Sequence, residues 1–306
     1  METQEKGKKR KISAIHILMP ITAILLVLVL VANYAMSYFD YIMNSYIGSG
    51  SIEVTTAEGT EEWDTDYYDA ADMTAEEAAE NSRKVCLEVA EEGFVLLKNN
   101  ENMLPLSDVD KINVFGWAFS HPVYGGTGSG SSDSSTAVSP RQGLEDAGFE
   151  VNAELLDTYE TWSQENGVTE RPGTSTSETF GTSSYWMLPE MPLSDEIVSQ
   201  AAEYSDTAVV WIARHGGEGQ DEAMNMDSAM NGRTNFGYNE DKHYLELTDE
   251  EEAILTALEG DSRIKNIIVV INSSNAMELG ELENDSNVDA VLYAAAGGST
   301  GFGAVG

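Results

Sequence analysis

Apolar positions are distributed along this chain in two different ways. Near the N-terminus, Ile17 to Met36 is a single uncharged, mostly aliphatic run of twenty residues. At a helical rise of about 1.5 Å per residue it reaches roughly 30 Å, the hydrocarbon thickness of a bilayer. Beyond residue 74 the apolar residues instead come in short blocks: Lys111 to Gly116, Phe149 to Val151, Ala208 to Ala213, Ile267 to Asn272 and Ala290 to Ala294. Apart from the half-polar second block, these are continuous rather than alternating, as in parallel strands covered on both faces. Helical patterns lie between them over Pro140 to Ala147, Ser194 to Tyr204 and Thr248 to Glu259, and an earlier one starts at Thr74 and runs toward Glu92. Two of these helices open on a capping box, Thr74 with Glu77 and Thr248 with Glu251, in which hydroxyl and carboxylate satisfy the free N–H groups of the first turn. Gly93 and Gly260 stand near their ends. The alternation predicts an α/β fold: a doubly wound, mostly parallel sheet sandwiched between helices, preceded by one N-terminal transmembrane helix.

Charge orients that first helix. Lys6, Lys8, Lys9, Arg10 and Lys11 precede it, and Tyr34 and Tyr38 suit its far interface. Domain boundaries follow: 1–13 a basic cytoplasmic tail, 14–38 the transmembrane helix, 39–73 an acidic juxtamembrane stalk rich in Gly, Ser and Thr, and 74–306 the α/β domain. The expected location is the cell membrane, single-pass, with the N-terminus cytoplasmic and the globular domain extracellular. A cleaved signal peptide is the competing reading. The apolar run is longer than the usual signal core of about 7 to 15 residues, and no clear small-x-small cleavage site follows it.

The formal net charge is −37, and after residue 36 the chain carries 11 basic against 51 acidic side chains. Such a surface repels nucleic acid and anionic lipid, so neither is expected as a partner of the globular part. The single cysteine, Cys86, excludes an internal disulfide framework; in its helical pattern it is expected to be a small core residue. His16, His121, His215 and His243 lack metal-ligand spacing. No structural zinc and no cofactor are expected.

Candidate chemistry is concentrated after the third strand block. Arg214-His215-Gly216-Gly217-Glu218-Gly219-Gln220-Asp221 puts a carboxylate on a glycine-flanked turn directly after Ala208 to Ala213. That is the carboxyl end of a strand, where ligands bind in open α/β sheets, and the flanking glycines allow close approach to the backbone. Glu218 is therefore the candidate catalytic residue, although most of the chain's 53 acidic side chains must simply be solvated. A second loop, Tyr124-Gly125-Gly126-Thr127-Gly128-Ser129-Gly130-Ser131-Ser132, follows the first strand block. It has no Gly-Lys-Ser/Thr and does not open an amphipathic helix, so a nucleotide-binding reading fails. It is either a flexible linker or a close-approach loop offering hydroxyls and N–H groups to a polyhydroxylated ligand.

Five segments occur in an informative order: Glu92 to Asn100, Met103-Leu104-Pro105-Leu106, Lys111 to Gly116, Gly125 to Gly130, and Gly217 to Asp221. Together they resemble the C-terminal α/β-sandwich domain of glycoside hydrolase family 3, the β-glucosidase and β-xylosidase family, over roughly residues 75 to 306. His243-Tyr244-Leu245 followed by Thr248 to Glu252 resembles the family's stretch after its acid/base loop. The resemblance implies a retaining double displacement on an oligosaccharide or glycoside substrate. A barrel-borne aspartate is the nucleophile, and a glutamate of the sandwich domain protonates the leaving oxygen and then activates water, with the two carboxylates about 5 to 5.5 Å apart. Carried onto this chain, the glutamate is Glu218; Ser129 with Gly128, and Arg214 and Asp221 beside the acid/base loop, are the substrate-binding candidates.

Two departures stand out. Many members have Arg after the aspartate of the acid/base loop, whereas Glu222 follows Asp221 here. A (β/α)8 barrel needs about 250 residues, and none precedes residue 75. The expectation is therefore the N-terminal part of a longer, membrane-anchored enzyme of permuted domain order, inactive by itself, whose partner is its own barrel domain. Two readings from other classes stay open: a non-catalytic extracellular carbohydrate-binding module, and an anchored interaction or sensor domain.

Overall fold

The computed structural model describes residues 14–39, 59, 73–126, 134–168, 187, 189–218, 222–226, 239 and 241–306. Two compact units are distinguished, Met1–Ala71 and Asp72–Gly306. In the first, helix α1 spans Ala14–Tyr38. It contains Pro20, which has no N–H to donate, and Thr22 Oγ1 donates back to the Leu18 carbonyl at 2.9 Å. Its segment Leu18–Tyr38 is long and apolar enough to cross a membrane.

The second unit is built on a six-stranded sheet. Helix α2 (Ala75–Gly93) leads into β1 (Val95–Asn99), and β2 (Lys111–Phe115) is followed by α3 (Pro140–Asp146) and the short β3 (Glu150–Val151). Helices α4 (Ala153–Glu165) and α5 (Asp195–Tyr204) precede β4 (Thr207–Arg214), and α6 (Asp249–Glu259) precedes β5 (Asn266–Ser273). Helix α7 (Gly280–Asn284) and β6 (Ala290–Tyr293) complete the order. The strands lie β1-β6-β5-β4-β2-β3; all neighbours are parallel except β1, which is antiparallel to β6.

The continuous apolar runs have a simple cause: both faces of the sheet are covered. Ala208, Val210 and Ile212 of β4 and Ile267, Val269 and Ile271 of β5 point to one face, packed with Leu155, Tyr159, Val198, Ile254 and Leu258 from α4, α5 and α6. Val209 and Trp211, with Ile268 and Val270, point to the other, against Leu144 of α3 and Phe302. Each Val, Leu, Ile or Phe among them contributes roughly 1.5 to 3 kcal/mol by leaving water. The strand order also creates a switch. From β2 the chain crosses by α3 to β3 on one side, then returns by α4 and α5 to β4 on the other. Strands β2 and β4 are neighbours on either side of this reversal, and the carboxyl ends of strands at such a switch point are where doubly wound sheets bind ligands.

Three elements were not anticipated: β1, α4 and the short α7. Strand β1 pairs on the sheet edge, with Val95, Leu96 and Leu97 exposed. Its polar residues fasten the edge: Lys98 Nζ donates to the Leu282 carbonyl at 2.9 Å, near the end of α7, and the Asn99 amide brackets Leu104, accepting from its N–H and donating to its carbonyl, both at 2.9 Å. Helix α4 begins where Asn152 Oδ1 accepts from Leu155 N at 3.1 Å. One expectation is corrected. Cys86 is exposed rather than a core residue, because α2 buries no side chain; only Leu87 and Ala90 around it are half-covered.

Candidate active site at the carboxyl ends of β2 and β4

Strand β2 ends at Gly116, whose φ of 100° is open to glycine and strained for other residues. A Cβ there would stand 2.2 Å from the Trp211 carbonyl oxygen. The backbone then turns through Trp117–Phe119, held by two side chains from the face behind it. Gly116 N donates to Tyr159 Oη at 3.0 Å, and Trp117 N donates to Glu190 Oε2 at 2.8 Å. Glu190 is buried, and burial pushes its carboxyl up to about 8 despite the Trp117 N–H, so it carries a proton at neutral pH. The His121 ring stacks on Trp117 at 3.9 Å between centroids.

The loop leaving β2 then runs to the loop leaving β4. A Cβ on Gly126 would come within 2.9 Å of the Gly216 carbonyl oxygen and 3.1 Å of Gly217 Cα, so these two loops touch backbone to backbone, an approach only glycine permits. On its other side Gly216 faces Asn275, whose amide would be 2.7 Å from an added Cβ. Asn272, fully buried at the end of β5, joins three strand ends: its Oδ1 accepts from Val123 N at 2.7 Å and from Trp211 Nε1 at 3.4 Å, and its Nδ2 donates to Val123 O at 3.0 Å and Ala295 O at 2.5 Å. The Tyr293 hydroxyl fixes the turn after β5, its single proton shared between Ser273 O at 2.7 Å and Asn275 O at 3.0 Å.

Glu218 lies on a turn four residues past the end of β4 and is exposed. His215 before it is buried, and burial lowers its imidazole to about 4, leaving it neutral at pH 7. The His215 carbonyl accepts from Tyr244 Oη at 2.7 Å and from Asn275 Nδ2 at 3.4 Å. Arg214 sits differently from a sugar-contacting residue. Its side chain has no exposed surface, and all of its N–H groups are engaged within the protein. Nε donates to Tyr244 O at 2.8 Å, Nη1 to Ala213 O at 2.9 Å and Glu251 Oε1 at 2.7 Å, and Nη2 to Glu246 O at 2.6 Å and Glu251 Oε2 at 2.7 Å. With no N–H left over, Arg214 makes no direct hydrogen bond to a substrate here. Burial works against its charge, but the adjacent Glu251 carboxylate outweighs this and holds the guanidinium above its ordinary pKa. Gly128, Ser129 and Asp221 lie outside the described residues.

Of the expected site residues, the structure therefore places Glu218 beside the start of the glycine-rich loop, and Arg214 beneath it. Asn275 and Glu190 went unnoticed in the sequence, and Asn272 and Tyr244 were read only as the end of a strand block and part of a family-like stretch, not as site residues. Asn272 and Asn275 had a usable signal, since Ile271-Asn272-Ser273-Ser274-Asn275 places polar residues directly after an apolar strand, as with Glu218. Glu190 had none.

A doubly wound α/β domain with an exposed carboxylate on a glycine-flanked turn, at the switch point of its sheet, is a ligand-site scaffold of the class defined by its strand order. The chain belongs to a specific family: the family model described as the glycosyl hydrolase family 3 C-terminal domain matches residues 94–305. A β-glucosidase of Ruminococcus albus is 35% identical over 215 residues, which cover 70% of this chain and 20% of that protein. The β-glucosidase A of Butyrivibrio fibrisolvens is 26% identical over 235 residues, 73% of this chain and 26% of that one. Among solved structures, β-glucosidase 3B of Thermotoga neapolitana in complex with glucose superposes with a TM-score of 0.57 at 27% identity, over 75% of this chain and 29% of its own. A β-glucosidase of Paenibacillus barengoltzii gives 0.57 at 28%, over 73% and 22%. The chain thus spans about a quarter or less of the length of the curated relatives it matches.

Proposed function

We propose that this chain supplies the acid/base carboxylate of a retaining, β-glucosidase-like glycoside hydrolase, with Glu218 as that residue and the nucleophile on a barrel domain. The observation that carries the reading is position. Glu218 stands at the glycine-flanked exit of β4, next to Gly216 and Gly217, whose backbone touches Gly126 of the loop from β2, within the segment shared with β-glucosidases. A general acid must hold its proton near neutral pH, which requires desolvation or a neighbouring carboxylate. Glu218 is exposed on this domain, so that environment is assigned to the facing barrel, whose nucleophilic carboxylate would stand about 5 to 5.5 Å away. Gly128, Ser129 and Asp221 are assigned to the sugar hydroxyls. The substrate is an oligosaccharide or simple glycoside, and the α/β domain by itself, apart from the barrel that bears the nucleophile, is inactive.

The same proposal places the domain outside the cell, anchored by α1. Its support is the apolar length of Leu18–Tyr38 and the basic cluster Lys6 to Lys11 on the N-terminal side. Protease added to intact cells should digest the α/β domain and spare a tag on Met1. A mature protein beginning near residue 40 and free in the medium would show cleavage instead.

The catalytic assignment is tested with Glu218→Gln in a polypeptide that also carries the barrel domain. Glycosides with poor leaving groups should slow by about 10² to 10⁴-fold and activated aryl glycosides far less, because only poor leaving groups need protonation. Equal loss on both would remove Glu218 from the acid/base role.

A further inference from the structure

The buried guanidinium of Arg214 raises a question that stability alone does not answer. A buried ion pair is often replaceable by apolar residues of similar volume without loss of stability, since desolvation offsets the Coulombic gain. Its geometry offers a positional role. Arg214 ends β4, and its Nε and Nη2 reach the carbonyls of Tyr244 and Glu246, on the segment that leads into α6. Its fork is closed by Glu251 of α6, whose Oε2 also accepts from Thr248 N at 2.9 Å. One guanidinium thus ties together the two ends of the chain segment that leaves β4 and returns to α6, and that segment carries Glu218. Tyr244 completes the arrangement. Its hydroxyl holds His215 O, three residues before Glu218, and its ring clusters with Ala223 and Met226, after Glu218.

We propose that Arg214, Glu251 and Tyr244 form a pedestal that positions Glu218, Tyr244 holding both flanks of its turn and the Arg214–Glu251 pair fixing Tyr244. This rests on the acid/base reading of Glu218 and gives Arg214 a positioning role in place of sugar contact. Tyr244 is fully buried, so its hydroxyl acts only through the protein, by orienting the His215 carbonyl. Misplacement of a catalytic group by about 1 Å can cost on the order of 10²-fold in rate, which is the scale such a pedestal controls.

The test uses two variants chosen to keep the fold. Tyr244→Phe removes only the hydroxyl. Arg214→Met combined with Glu251→Met removes both buried charges together, so neither is left uncompensated. In the 306-residue chain, amide hydrogen exchange at residues 215–218 and 222–226 should accelerate by up to about ten-fold in Tyr244→Phe, the loss of one hydrogen bond, and more in the double variant. Exchange within β4 and β5 should not change. Unaltered exchange at 215–218 in both variants, or acceleration spread evenly over the sheet, overturns the pedestal. With the barrel domain present, Tyr244→Phe should lower kcat for poor leaving groups by roughly 10 to 10²-fold, with KM little changed and activated glycosides affected much less. Uniform loss on both substrate classes overturns the positioning role. If exchange accelerates as expected but Glu218→Gln itself shows no dependence on leaving group, the pedestal stands and the acid/base assignment falls.

Discussion

Helices α2 and α6 begin with the same device and use it differently. At both, a threonine hydroxyl accepts from the N–H three residues on while the glutamate at that position reaches back to the threonine N–H, giving Glu77 N to Thr74 Oγ1 at 3.2 Å and Glu251 N to Thr248 Oγ1 at 3.0 Å. Thr74 and Glu77 are exposed, whereas Thr248 and Glu251 each retain 3% of their surface. In the buried box the glutamate has a second task, accepting both forks of Arg214. A four-residue signature therefore specifies where a helix starts but not what else its carboxylate does. That depends on Arg214, 37 positions away in sequence.

The comparison is broken most severely by Glu251→Ala. The variant loses the cap, as Glu77→Ala would, but it also leaves a buried guanidinium without its counter-charge. Breaking a buried pair in this way costs about 3 to 5 kcal/mol. Chemical denaturation of the α/β domain should show a loss of that size, and a loss below about 1 kcal/mol would mean that Glu251 acts only as a cap.

Glu190 sharpens the contrast at the same edge, because it is a buried carboxyl without a fork to hold its charge. Its folded pKa of about 8 lies above its ordinary value of 4.5, with burial as the main cause, then opposed by the Trp117 N–H. Native protein therefore keeps a proton that the unfolded chain releases. The contribution is fully present below pH 4.5 and is lost as pH rises through about 8, by about 1.4 kcal/mol per pH unit within that window. Glu190→Gln, which keeps an oxygen for Trp117 N, should match the parent near pH 4.5 and exceed its stability by about 2 kcal/mol at pH 6. His215 acts oppositely, its lowered pKa removing stability as pH falls from 6.5 toward about 4. The difference between parent and Glu190→Gln cancels that contribution. Parallel stability curves for the two proteins from pH 5 to 8 would show that Glu190 is ionised in the native state.

What was legible in the sequence follows from how local each cause is. Both capping boxes, the continuous runs of β2, β4, β5 and β6, and the glycine-flanked carboxylate are written in adjacent residues, and the fold class followed from them. Strand β1 escaped because its identity rests on antiparallel pairing with Ala290–Tyr293, nearly two hundred residues on, rather than on an alternating pattern. Helix α4 had a signal that went unread: Asn152 as cap, then Leu155, Tyr159 and Trp162 on one face. Cys86 misled because a helical apolar pattern gives no information on whether the face is covered; Val85 and Val89 of the same helix are exposed as well. The saturation of Arg214 was illegible in principle. Its donors go to three carbonyls and a carboxylate that only the fold brings together.

The exposed box gives the smallest effect and closes the contrast. Thr74→Ala removes the hydroxyl that accepts from Glu77 N and should cost about 1 kcal/mol, the typical value of an N-cap. The loss should be confined to α2, because none of its side chains is buried and fraying need not disturb the sheet. Glu77 adds a pH signature. The Thr74 N–H, and then the Thr74 hydroxyl, hold its carboxyl below the ordinary 4.5, so its share of the cap is present above that value and fades as pH falls below it. Amide protection in the first turn of α2, corrected for the slower intrinsic exchange at low pH, should therefore fall on going from pH 5 to pH 3 in the parent, and not in Glu77→Gln, which has no carboxylate to titrate. The same corrected protection at both pH values in the parent would make the exposed box a geometric pairing without energetic weight, leaving the buried one at α6 as the cap that matters.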